Sequence, residues 1–321
     1  MTQTLSRRRA LQLMGVAAAW PFTRAWAADG EALTFLAVGD WGRDGADRQS
    51  EVAQQMGETA KAIRSRFVIS VGDNFYKTAS DPLEGVASAT DPKWKTSFED
   101  IYAAPSLQVP WYAALGNHDY YGTPEAQLEY AKTSNRWRMP ARYYSRRERA
   151  PDGATLELFV LDTTPLIPDY LKHKGLAPKL AVVDPDAQVA WFDQALAAST
   201  ADWKVVVGHH PIWAGDNSEA GKEGHWGSPD LVARLDPLLK RSGVRLYLNG
   251  HDHELQHTVH DGRNYVCTGA GSSMEPFCDN VGADFCSLDS GFIACAVTRR
   301  ALRVAYKDWQ GRELKVVDIP A

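Results

Sequence analysis

The sequence predicts an α/β fold, and three patterns carry that reading. Short apolar runs of strand length alternate with stretches whose apolar residues recur at helical spacing. Strands alternating with helices imply sheets with helices packed outside them. From Glu254 onward the alternation stops, and strand-like runs follow one another as antiparallel neighbours do.

Taken in order, residues 33–38 read as a buried strand. Val52, Met56, Ala60 and Ile63 then fall on one face of a helix. Residues 67–71 and 111–115 are the next strands. Residues 158–161 follow, and then a helix over 186–198 with Val189, Phe192 and Leu196 on one side. Residues 204–207 and 244–248 complete the alternating part. The tail offers strands over 255–260, 265–268, 292–297 and 302–306. The proline-rich segment 162–184 and the glycine-rich segment 216–227 read as surface loops. No repeat interrupts the pattern, and residues 28–321 are expected to form one domain.

Hydrophobic residues make up 44% of the 321 residues and charged residues 23%, enough for a sizeable core. A net charge of −5 gives no electrostatic case for nucleic acid or an anionic membrane surface.

Residues 1–27 read as an export signal. Arg7, Arg8 and Arg9 precede an apolar run from Leu11 to Trp20 that is too short to span a bilayer. Ala25-Trp26-Ala27 has the small-x-small pattern of a signal-peptidase site. Ser6-Arg7-Arg8 resembles a twin-arginine signal, although Ala10 stands where a bulky apolar residue is usual. An ordinary secretory signal is the alternative. Either implies export machinery for the precursor and a bacterial periplasmic or secreted product, with no membrane association after signal removal. In an exported protein Cys267, Cys278, Cys286 and Cys295 permit two disulfides. Cys267 and Cys295 lie in strand-like runs and read equally well as buried thiols.

Five polar clusters stand at the C-terminal ends of five expected strands. They are Gly39-Asp40-Trp41-Gly42, Gly72-Asp73-Asn74-Phe75-Tyr76, Gly116-Asn117-His118-Asp119, Gly208-His209-His210-Pro211 and Gly250-His251-Asp252-His253. Ligands bind outside those strand ends in open α/β sheets. Carboxylate, imidazole, amide oxygen and phenolate are hard and borderline metal ligands. A lone aspartate there is usually a cap, and a lone histidine usually a core residue. Five such endings in one chain point to a site assembled from distant loops.

The set Asp40-x-Gly42, Gly72-Asp73-x-x-Tyr76, Gly116-Asn117-His118-Asp119, Val206-x-x-His209 and Gly250-His251-x-His253 resembles the calcineurin-like metallophosphoesterases in their purple acid phosphatase form. The resemblance is closest to the small tartrate-resistant enzymes and runs from about Leu33 to the C-terminus. Gly42 in place of a histidine, together with Tyr76, is its most specific feature. It implies a four-layer α-β-β-α sandwich of two mixed sheets flanked by helices. It also implies a dinuclear centre: Fe(III) on Asp40, Tyr76 and His253, a divalent Fe, Zn or Mn on Asn117, His209 and His251, and Asp73 as bridge.

Such a centre would hydrolyse phosphate monoesters of small phosphorylated substrates, with metal-bound hydroxide as nucleophile. His118 would be the proton donor and His225 a second substrate-site histidine. A phosphodiesterase on the same scaffold, or a redox-active di-iron protein, are the alternatives. Asp119 is expected to orient His118, His210 to support His209 or simply pack, and Trp41, Phe75 and Trp213 to wall the cleft.

Overall fold

The computed structural model describes residues 32–215, 227–274 and 282–321. Residues 1–27, His225 and Cys278 lie outside them. The strands are β1 (Leu33–Val38), β2 (Val68–Ser70), β3 (Trp111–Ala113), β4 (Trp137–Arg138), β5 (Tyr144–Arg149), β6 (Thr155–Val160), β7 (Trp203–Val207), β8 (Leu246–Asn249), β9 (Leu255–His260), β10 (Arg263–Thr268), β11 (Phe285–Ser287), β12 (Gly291–Val297), β13 (Ala301–Asp308) and β14 (Glu313–Pro320). The helices are α1 (Gln49–Ile63), α2 (Pro124–Thr133), the single turn α3 (Ala177–Leu180), α4 (Pro185–Ala198) and α5 (Pro229–Arg241).

Among the described residues the strands form two seven-stranded sheets, in the orders β14-β13-β12-β1-β2-β3-β4 and β11-β9-β10-β8-β7-β6-β5. Both are mixed. β1, β2 and β3 run parallel while β12 is antiparallel to β1. β6, β7, β8 and β10 run parallel while β5 and β9 pair antiparallel at the two sides.

Alternation along the strands makes the layers. Leu158, Val160, Val205, Val207, Leu246 and Leu248 join one core with β1, β2 and α1. Their neighbours Phe159, Val206 and Tyr247 face away, into a second core with Phe192 of α4 and Leu231 and Leu235 of α5. Helix, sheet, sheet and helix therefore stack in four layers, as expected. Strands apolar on both faces are what such a stack requires. Asp184 and Ser228 cap α4 and α5 by accepting backbone N–H groups, each with proline at the next position.

Cys267 and Cys295 are buried free thiols on β10 and β12. Cys286 on β11 is disulfide-bonded, so the two bridges that four cysteines permit do not both form.

Candidate metal centre and active site

Each polar cluster leaves the end of a parallel strand through a sharp turn. Asp40, Asp73 and His251 hold left-handed backbone, with φ of 59°, 47° and 72°. A non-glycine residue there costs about 1–3 kcal/mol, and such outliers gather at functional sites. Gly116 and Gly250 lie directly under the carboxylates. A Cβ at Gly116 would come within 2.2 Å of Asp73 Oδ1, and one at Gly250 within 2.3 Å of Asp40 Oδ2. Only glycine fits at either position.

The hydroxyl of Tyr76 is the centre of one donor group. It lies 3.0 Å from Asp40 Oδ1, 3.0 Å from Asp73 Oδ2 and 3.0 Å from His253 Nε2. His209 is the centre of the other, with Nε2 3.2 Å from Asn117 Oδ1 and 3.2 Å from Asp73 Oδ2. The His251 ring stands 5.1 Å from that of His209 between centroids, and its backbone N–H donates to Asp40 Oδ2 at 3.1 Å. Asp73 Oδ2 touches both groups. Its Oδ1 accepts the backbone N–H of His118 at 2.7 Å.

The donors suit cations. Nδ1 of His209 donates to the Val71 carbonyl at 3.1 Å, and Nδ1 of His253 is 3.4 Å from Ser273 Oγ. Nε2 of each then faces inward, as in metal-binding histidines whose outer nitrogen is anchored. Burial pushes the Asp73 carboxyl up, but His209 and His118 outweigh it and hold it well below the usual range. Burial pushes His209 down, and Asp73 and Asp40 lift it to about 9. Burial, Asp40 and Asp73 drive the Tyr76 phenol well above its usual value. Without a cation, two buried carboxylates crowd a phenol whose ionisation they oppose. Positive charge at the centre relieves the crowding and reverses the drive on Tyr76. The seven residues fit a pair of ions.

Residues 33–255 match the calcineurin-like phosphoesterase family. The chain belongs to that family, in its purple acid phosphatase branch. It is 35% identical over 305 residues to purple acid phosphatase 4 of Arabidopsis thaliana, covering 88% of this chain and 82% of that protein. To tartrate-resistant acid phosphatase type 5 of Oryctolagus cuniculus it is 33% identical, covering 90% and 91%. Among solved structures, GAP50, the anchor in the inner membrane complex of Plasmodium, superposes with a TM-score of 0.74 at 25% identity, covering 90% and 89%. A purple acid phosphatase from yellow lupin seeds shares the fold, with a TM-score of 0.64 at 16% identity over 90% of this chain and 54% of that one. The chain is a metal-dependent acid phosphatase, a phosphoric monoester hydrolase acting through a dimetal site.

Beside the centre of the phosphatase, the His118 side chain is 32% exposed, open enough for a substrate to reach. Its Nε2 is 3.9 Å from Asp73 Oδ2, and its Nδ1 is 3.1 Å from Glu84 Oε2. Burial pushes His118 down, but Asp73 and Glu84 raise it overall. The expectation for Asp119 fails. Its carboxylate accepts N–H groups from Gly116, Asn74 and Gln127 and does not meet His118. It ties the second and third clusters together, and burial with Asp73 pushes it up to about 7. Glu84 occupies the place expected of it, on a loop outside the five strand-end clusters.

His210 has both nitrogens taken, at 2.8 Å from Thr163 Oγ1 and 2.8 Å from Tyr170 Oη. It lies close enough to His209 and His251 for the three to share an ion. Its two hydrogen bonds run instead to segment 162–184 and pack that segment against the site. Tyr170 brings segment 162–184 to the site, so that segment is no plain surface loop. Arg43, also unforeseen, stacks its guanidinium 3.8 Å from the Tyr76 ring centre.

The aromatic walls are corrected as well. Trp41 and Phe75 are fully buried and pack with Phe98, Trp111 and Trp137 behind the site, because Trp41 turns inward to donate to Ser70 Oγ. Trp213 stacks on His260, 3.6 Å between centroids, away from the centre.

Proposed function

We propose that the dimetal centre is an Fe(III)–M(II) pair, with M being Fe, Zn or Mn, and that it hydrolyses small phosphate monoesters to alcohol and inorganic phosphate. Asp40, Tyr76 and His253 would hold Fe(III). Asn117, His209 and His251 would hold the divalent ion, and Asp73 would bridge them. The observation that carries this reading is the position of Asp73 Oδ2, within 3.2 Å of both Tyr76 Oη and His209 Nε2. When bound, the pair supplies positive charge against the ester's oxygens and a water acidic enough to attack as hydroxide.

The chain's own groups do the rest. The His118 side chain, beside Asp73, protonates the leaving oxygen, which would otherwise depart as a costly alkoxide. The Arg43 guanidinium adds fixed positive charge beside Tyr76. By family resemblance His225 is a second substrate contact. Metal analysis, with a rate panel of aryl and alkyl monoesters and diesters, tests the assignment. One equivalent of iron with one of zinc or manganese, or two of iron, together with a monoester preference supports it; a diester preference gives the scaffold to a phosphodiesterase.

We further propose that residues 1–27 direct export through a twin-arginine route and that residues 28–321 form a single domain. That route reads guanidinium pairs, so Arg7→Lys with Arg8→Lys and Arg9→Lys should block it. Normal export of the triple-lysine precursor would leave an ordinary secretory signal.

A further inference from the structure

Glu84 belongs to none of the five strand-end clusters, yet its carboxylate reaches the site. Oε2 lies 3.1 Å from Nδ1 of His118 and accepts the backbone N–H of Lys77 at 3.1 Å. The turn that carries it is built to stay in place. Lys93 is 2% exposed. Its Nζ donates to the carbonyls on either side of Glu84, those of Leu83 and Gly85, and pairs with Asp81 Oδ2 at 3.2 Å. A buried ammonium is costly unless it is paired and hydrogen-bonded, and this one spends its donors on that one turn.

Gly85 fastens the turn to its surroundings. Its N–H donates to the Phe75 carbonyl at 2.9 Å, next to Tyr76. Its φ is +66°, and a Cβ there would lie 2.7 Å from the Gly122 nitrogen. The Glu84 turn is therefore clamped between the loop that carries Asp73 and Tyr76 and the loop that carries His118.

We propose that Glu84 is a positioning residue for His118: its carboxylate holds the Nδ1 proton, fixes the ring, and leaves Nε2 facing the centre beside Asp73. A histidine whose far nitrogen is held by a carboxylate keeps one tautomer and one orientation. In turnover the proton leaves from Nε2, forming the O–H bond of the alcohol, while Nδ1–H stays on Glu84. Water then returns a proton to Nε2. This inference rests on His118 acting as proton donor, and its test separates the two ideas.

The test is a double-mutant cycle in the metal-loaded enzyme, assayed with an alkyl phosphate and with an aryl phosphate of low leaving-group pKa. Glu84→Ala should lower kcat on the alkyl ester by about 10–100-fold, the range that outer partners of metal-binding histidines cost. KM and metal content should hold. Glu84→Gln, which keeps an acceptor for Nδ1–H, should recover most of the loss. In a His118→Ala background, Glu84→Ala should change kcat by less than about twofold, because its effect passes through the missing ring. An equal loss in both backgrounds, or a loss of metal in Glu84→Ala, would overturn the proposal. If the cycle couples but the losses ignore leaving-group pKa, Glu84 still positions His118. The role of His118 as acid then fails, and the ring binds phosphate.

Discussion

Around Tyr76 the donors are two carboxylates, a phenol and one imidazole, with Asp40, Asp73 and Tyr76 all buried. Around His209 they are imidazole and amide oxygen, and the carboxylate present is the shared Asp73. The first group is hard and anionic, and in a buried place it repels itself. The second is borderline and close to neutral. Hard anionic oxygens suit a small, highly charged cation, while imidazole and amide suit a divalent one. The two groups also share a plan. Each draws on both sheets, Asp40 and Tyr76 with His253 in one, Asn117 with His209 and His251 in the other. Each ion would staple the sheets at this edge, where Gly39 N–H already donates to the Thr268 carbonyl and Gly271 N–H to the Gly39 carbonyl.

The largest expected effect falls on both groups at once. Chelating the metals should abolish turnover and lower the thermal midpoint, while circular dichroism stays near that of the loaded protein. Two hydrophobic cores of buried side chains hold the layers without the ions. Retained turnover in a verified metal-free sample would break the comparison at its root.

Next in size is the proton donor, which stands beside both groups. His118→Ala should lower kcat by roughly 10²–10⁴ with poor leaving groups and far less with good ones, which depart without a proton. A plot of the loss against leaving-group pKa checks this. A flat plot would make His118 a phosphate contact.

The comparison sharpens when one group is damaged alone. Asp73→Ala should lose both ions, because its carboxylate faces both groups. Asn117→Ala should lose occupancy mainly at the divalent position, since an amide contributes no charge and serves one ion. Metal stoichiometry of the two variants decides, and equal losses would mean the groups are not separate.

Much of this arrangement was legible because each cluster is contiguous and follows a strand apolar enough to be seen. β1, β7 and β8 read plainly as buried runs, and their ends carry Asp40, His209 and His251. β5 escapes a reading of the sequence because Tyr144–Arg149 is a sheet edge whose Arg146, Arg147 and Arg149 are exposed, and a charged edge looks like a loop. α5 escapes it because Pro237 interrupts a helical pattern that its buried leucines nonetheless sustain. Segment 162–184 reads as loop because of its prolines. Leu166, Leu176 and Leu180 are buried in it, and Lys179 Nζ binds the carbonyls of Tyr120, Tyr121 and Gly122. Glu84 could not be read, since its position depends on a lysine further along the chain closing around its turn. Residues brought to a site by strand order leave a pattern in sequence. Those brought by tertiary clamps do not.

The smallest expected change in rate, and the plainest in appearance, concerns the oxygen-rich group. A free tyrosine titrates near 10, and here burial, Asp40 and Asp73 drive Tyr76 well above that value. Fe(III) among those oxygens would reverse the drive and hold the phenolate, because a bound cation inverts the local preference. Phenolate bound to Fe(III) transfers charge to the metal, and by family resemblance the iron-loaded, oxidised protein should be purple or pink. Tyr76→Phe removes the oxygen and keeps the ring beside Arg43 and His118, so packing should change little. Asp40, Asp73 and His253 would still present two carboxylates and an imidazole, so iron and some activity should remain while the visible band is lost. Spectra of both proteins with iron content verified are the check. An unchanged band in Tyr76→Phe, or no band in the iron-loaded wild type, would remove the phenolate from the centre. The divalent half built on His209 would stand unaltered, and the contrast between the halves would then rest on the carboxylates alone.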